Sequence, residues 1–81
     1  MQVTAQFFSQ LRDLAGGSEA IFELPEGATV ADLLGRVYER FPGLEQWDNN
    51  ILLGVGVDFV ERDLLLQPND QVAIMPPVQG G

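Results

Sequence analysis

Apolar and polar residues alternate from Gln2 to Phe8. Val3, Ala5 and Phe7 fall on one face, and Gln2, Thr4, Gln6 and Phe8 on the other. A period of two predicts a half-buried strand. Phe8 is the exception, an aromatic on the polar face. It either covers the end of the sheet or is an exposed anchor for a partner, a role in which aromatics are enriched. Between Ser9 and Ala15 the spacing changes. Leu11, Leu14 and Ala15 form the inward stripe of a short helix, with Ser9 as N-cap and Gly16-Gly17 as its stop. Ser18 to Leu24 predicts a second strand with Ala20, Phe22 and Leu24 inward, and Pro25-Glu26-Gly27 a turn.

The strongest helical signal runs from Thr29 to Phe41. Val30, Leu33, Leu34, Val37 and Phe41 recur at helical spacing, and Tyr38 flanks them. Thr29 with Asp32 three residues on resembles a capping box with Asp in place of Glu. Asp32 and Arg36 are spaced to pair. Gly35 costs this helix about 1 kcal/mol relative to alanine, and close packing on the sheet is the one reason the sequence offers. Pro42-Gly43 stops the helix. Leu44 to Asn50 reads as a connection with a single helical turn, and Trp47 as a plug for one end of the core. Ile51 to Val57 predicts a third strand. Gly54 and Gly56 within it mark a bulge or a close backbone approach. Asp58 begins a turn, Phe59-Val60 pair briefly, Arg62 to Leu66 cross irregularly, and Pro68-Asn69-Asp70 turn the chain. Gln71 to Met75 is the last strand, with Val72 and Ile74 on one face and Ala73 and Met75 on the other. The order predicts a two-layer α+β domain, a mixed sheet on one main helix.

Composition narrows the chemistry. The chain has 81 residues, the size of one small domain. It contains no cysteine and no histidine. A disulfide framework, a Cys-ligated metal site, a thiol nucleophile and the commonest general base are therefore all absent. Twelve acids against four bases give a formal charge of −8. The bases are Arg12, Arg36, Arg40 and Arg62; none is lysine. Such a chain offers no basic face to nucleic acid or to an anionic membrane. The charge either confers solubility alone or favours a partner with a basic surface. Without lysine, the chain is poorly suited to be a target of side-chain conjugation. No apolar run approaches the ~20 residues of a spanning helix, and no signal peptide is present, so a soluble cytoplasmic protein is expected.

The remaining segment is Pro76-Pro77-Val78-Gln79-Gly80-Gly81. Neither proline has an N–H for a sheet, and both hold φ near an extended value. Diglycine has no side chain, so the carboxylate beyond it can enter a tunnel that any Cβ would block. A loose terminus with incidental glycines is the plain alternative. Residues 1–75 are thus expected to form the domain, and residues 76–81 a protruding flexible tail.

At this level the chain resembles the β-grasp, ubiquitin-like sulfur carriers of the ThiS and MoaD group, and among them the small subunits of molybdopterin synthase. The resemblance rests on Phe7 through Gly16, Gly27 through Leu34, and Asp70 through Gly81, with the Pro-Pro-Val-x-Gly-Gly ending as its specific part. Pro68-Asn69 and Gly56 depart from the family pattern. The resemblance implies a β-grasp fold, a sheet of about five strands on one main helix. It implies that an E1-like enzyme adenylates Gly81 with ATP, that a donor such as a cysteine desulfurase system converts it to a thiocarboxylate, and that the sulfur reaches a pterin precursor in the large subunit of a heterotetramer. Gly80 and Gly81 then carry the chemistry. Phe8, Arg12, Phe59, Met75, Pro76, Pro77, Val78 and Gln79 meet partners, with Phe8, Phe59 and Met75 as an exposed patch and Arg12 on its rim. The alternative for Phe59 is a place in the core. No cofactor or metal is expected on this chain, and no catalysis by it alone. Carriage of sulfur for thiamine thiazole or tRNA thiolation, ubiquitin-like modification of targets, and a plain interaction domain with an idle tail remain as alternatives.

Overall fold

A computed structural model describes residues 1–77; Val78, Gln79, Gly80 and Gly81 lie outside the described residues. The first strand, β1 (Gln2–Phe7), buries Val3, Ala5 and Phe7, as its alternation requires. A short helix, α1 (Gln10–Ala15), follows and ends at Gly16 in the left-handed conformation, φ 74°. Leu11 is its one buried side chain, while Leu14, expected to face inward, is 45% exposed. Leu14 lies one turn further on, in the last turn of the helix before the exposed Gly16 and Gly17. Ser9 stands at the N-cap position, but its side chain caps nothing.

The second strand, β2 (Glu19–Glu23), pairs antiparallel with β1, setting Val3 opposite Phe22 and Ala5 opposite Ala20. The main helix, α2 (Val30–Arg40), buries Val30, Leu33, Leu34 and Val37. The expected capping box is formed. The Asp32 amide donates to the Thr29 hydroxyl at 3.3 Å, and the Thr29 amide donates to the Asp32 carboxylate at 2.8 Å. Arg36 does not pair with Asp32. Its guanidinium lies 3.5 Å from Glu39 and donates to the Glu23 carbonyl at 3.3 Å. Arg40 donates to the Ile21 carbonyl at 3.1 Å and lies 3.9 Å above the Phe22 ring. Two arginines of α2 thereby occupy carbonyls of β2, an edge strand of the sheet, whose exposed backbone would otherwise invite strand pairing. Gly35 is exposed, and a Cβ there would meet nothing within 4 Å, so close packing is not its reason.

Pro42 opens a 3-10 helix (Pro42–Trp47), longer than the single turn expected, with Leu44 buried and Trp47 half-buried against the core. The third strand, β3 (Leu52–Val55), is shorter than its apolar run. Gly56 lies beyond it at φ 64°, the first of two loop residues joining β3 to β4 (Asp58–Phe59). That position favours glycine in a type II′ hairpin. Asp58 is therefore in a strand and not in a turn. The last strand, β5 (Gln71–Met75), has the bounds expected.

The sheet order is β2-β1-β5-β3-β4. β5 is inserted between β1, to which it is parallel, and β3, to which it is antiparallel. The core lies between the inner face of this sheet and α2, where Phe7 and Phe41 meet edge to face at 5.6 Å. Among the described residues, no helix is long and apolar enough to cross a membrane.

Candidate functional site

The sheet's outer face carries the residues that break the alternation. Register fixes their neighbours. Phe7 is level with Ile74, so Phe8 follows at the level of Met75. Met75 is opposite Leu52 on β3, and Ala73 is opposite Gly54. Gly54 is in turn opposite Phe59 on β4. Four strands therefore contribute to one apolar region: Phe8 at the end of β1, Ala73 and Met75 on β5, Leu52 and Gly54 on β3, and Phe59 on β4. The polar side chains Gln6 and Gln71, hydrogen-bonded at 3.2 Å, occupy the same face towards β2.

Phe8 is 43% exposed and Phe59 is 75% exposed. Phe59 does not fill the core, because β4 pairs only on its β3 side and its side chain points away from α2. Met75 is half-buried. Its methyl group lies beside Gly54, where a Cβ would make ordinary van der Waals contact. A Cβ on Gly54 would lie 3.5 Å from Met75 Cε and 3.4 Å from the Asp58 carbonyl oxygen. The glycine is the floor of a shallow groove of about 210 Å³, walled by Val57, Phe59, Ala73 and Met75. The sequence marks Gly54 as a close approach, but the role of Leu52, Ala73 and Val57 depends on register across strands distant in sequence.

Arg12 is exposed on α1 and makes no salt bridge among the described residues. The other three arginines are engaged. Arg62 donates to the Asp48 carboxylate at 2.7 Å and to the Asp48 carbonyl, and the Tyr38 hydroxyl donates to the same carboxylate. Burial, and then the bond to Asp48, push the Tyr38 hydroxyl well above its ordinary pKa. The bonds from Tyr38 and Arg62 hold the Asp48 carboxyl below the usual range. This cluster ties α2 and the 3-10 helix to the crossing after β4. Pro76 and Pro77 follow β5 outside any strand and are half-buried. The expected roles of Val78, Gln79, Gly80 and Gly81 fall outside the described residues.

The apolar region thus lies at the end of β1 and β5 from which the chain passes into Pro76. The same architecture occurs in known proteins. A Chlamydomonas reinhardtii protein described as molybdopterin synthase sulfur carrier subunit is 32% identical, with all of both chains covered. A solved structure described as putative molybdopterin converting factor, subunit 1, from Pyrococcus furiosus superposes with a TM-score of 0.87 at 31% identity, covering 96% of this chain and 99% of that one. The small archaeal modifier protein 1 of Haloferax volcanii shares the fold, with a TM-score of 0.87 at 22% identity over 95% of this chain and 98% of that one. The expected α+β β-grasp fold is the one found. The ThiS family model matches residues 5–81, and the chain belongs to that family.

Proposed function

We propose that this chain carries sulfur for the assembly of molybdopterin. A carboxylate is a poor electrophile, because its charge repels nucleophiles and its leaving group is bad. An E1-like enzyme therefore activates Gly81 with ATP, releasing pyrophosphate and leaving an acyl-adenylate. Sulfur from a donor, such as a cysteine desulfurase system, displaces AMP, and the product is a thiocarboxylate. Its sulfur is nucleophilic at neutral pH and is transferred to a pterin precursor bound by the large subunit, within a heterotetramer in the cytoplasm. Nucleotide site and catalytic side chains belong to the partners, and this chain binds no cofactor of its own. The domain of residues 1–75 is the handle, and residues 76–81 are the part inserted. Pro76 and Pro77 reduce the entropy lost on insertion.

The observation that carries this reading is the apolar region of Phe8, Met75 and Phe59 beside Pro76. An exposed apolar patch on a small domain marks a binding site more often than chance. Its place at the exit of the chain lets one partner grip the body and receive the tail together. The full-length likeness to sulfur carrier subunits supports the same reading.

The test is intact-mass spectrometry after incubation with an activating enzyme of this family, ATP and a sulfur donor. Exchange of one oxygen for sulfur at Gly81 is expected, and loss of that exchange when one alanine is added after Gly81. Unchanged mass in the parent chain, or equal sulfur delivery by the extended chain with its alanine intact, overturns the proposal. Recovery of branched conjugates on other proteins in place of thiocarboxylate would identify a modifier instead.

A further inference from the structure

Ser9 is the one backbone position near the apolar region that its residue type does not explain. It has φ 51° and ψ −129°. The Leu11 amide donates to the Phe8 carbonyl at 3.0 Å, so Phe8-Ser9-Gln10-Leu11 is a tight turn with Ser9 at its second position. These angles are close to the type II′ values, and glycine dominates there because a Cβ is crowded. The serine has no local compensation, since its side chain makes no capping bond and is exposed. Its carbonyl accepts from the Arg12 amide at 3.1 Å, so the turn runs directly into α1.

The strain persists because the chain is fixed on both sides. Phe7 is buried and packed on Phe41, and Leu11 is buried on α1. Phe8 lies between these two anchors and is an exposed aromatic of the outer face. The joint that sends Phe8 outward and turns Leu11 back inward, two residues further on, is Ser9 itself. A side chain at a strained φ narrows the conformations open to the joint, whereas glycine would relieve the strain and widen them.

We propose that Ser9 is a positioning residue. Its strained turn holds Phe8 rigidly on the outer face, so that the docking surface is preorganised at the expense of stability. This rests on the proposed docking of that face to the large subunit. Preorganisation of a contact side chain lowers the ordering cost of binding. Strain retained at a functional position also predicts a trade between stability and binding.

The test uses Ser9→Gly in the full chain, with Phe8→Ala as control. Three quantities are measured: the thermal midpoint, the affinity for a molybdopterin synthase large subunit, and the fast-timescale NMR order parameter of the Phe8 amide. For Ser9→Gly the midpoint is expected to rise by about 4 °C as strain is released. Affinity is expected to fall about fivefold, and the Phe8 order parameter to drop. A purely architectural turn would raise the midpoint and leave affinity and order unchanged, and that result overturns the proposal. So does a lowered midpoint, which would show that the strain released is smaller than the entropy glycine adds to the unfolded chain. The control separates the two readings. If Phe8→Ala loses affinity while Ser9→Gly does not, the docking surface stands and the role of Ser9 is refuted. If Phe8→Ala binds as well as the parent, the docking reading falls and the role of Ser9 with it.

Discussion

Glycine has different surroundings at two positions of this chain. At Gly54 a Cβ would come into ordinary van der Waals contact with Met75 and the Asp58 carbonyl oxygen, and the residue lines the outer groove. At Gly35 a Cβ would meet nothing, and the residue is exposed in the middle of α2. Sequence alone suggests close packing for Gly35 and a bulge or close approach for Gly54, because the cost of glycine is local and its justification is not. Gly35→Ala is therefore expected to stabilise the domain by about 1 kcal/mol. That corresponds to a rise of about 4–8 °C in the thermal midpoint at this size, and a midpoint lowered by the substitution would show that α2 needs the glycine. Phe59 is a similar case. Its type favours a core position, but β4 places it 75% exposed beside the groove. Phe59→Ala is expected to change unfolding free energy by no more than about 0.5 kcal/mol, while weakening capture by an immobilised large subunit. A loss of several kcal/mol would return Phe59 to the core.

Some local signals were realised as their residues dictated, although Ser9 caps nothing and Leu14 faces outward. Thr29 and Asp32 made the capping box, and the alternation of β1 and β5 fixed both faces. Pairings between elements were less legible. Arg36 turned to Glu39 and to the β2 backbone, while the Asp32 carboxylate accepts from the Thr29 amide and hydroxyl in the capping box. The contact of Tyr38, Asp48 and Arg62 joins three segments far apart in sequence, and no spacing announces it. Its pH dependence follows from the directions of the shifts. The Asp48 carboxyl is depressed, chiefly by the bond from Tyr38. The stability it contributes is thus complete above its ordinary value of 3.8 and is lost as pH falls through the lower folded value. The Tyr38 hydroxyl is raised, chiefly by burial. Its contribution is complete below its ordinary value of 10.0 and is lost as pH rises further. Tyr38→Phe is expected to cost about 1 kcal/mol near neutral pH. The gap between parent and variant should stay constant across that window and narrow at both extremes. Denaturant midpoints measured from acid to alkaline pH check this, and a gap that widened in alkali would contradict the assignment.

For the molecule as a whole, the topology decides what the sequence left open. Phe8, Met75 and Phe59 are each visible as residues out of place in a strand pattern. That they share one face is settled only by the order β2-β1-β5-β3-β4, with β5 inserted between β1 and β3. The ends of β1 and β5 then coincide, and the apolar region comes to lie beside Pro76. Charge acts at the same scale. The formal charge is −8, and Arg36, Arg40 and Arg62 are each engaged within the domain. A partner that grips the apolar region therefore approaches a strongly negative body, and one with a basic surface is drawn to it before contact. Raising ionic strength from about 0.01 M to about 1 M shortens the screening length from about 30 Å to about 3 Å. The association rate with the large subunit is then expected to fall at least about tenfold, while the dissociation rate, which the proposed docking assigns to the apolar contacts of Phe8, Phe59 and Met75, is expected to change much less. Stopped-flow association and dissociation at both salt concentrations distinguish the two. An association rate indifferent to salt would mean that the acidic surface serves solubility alone.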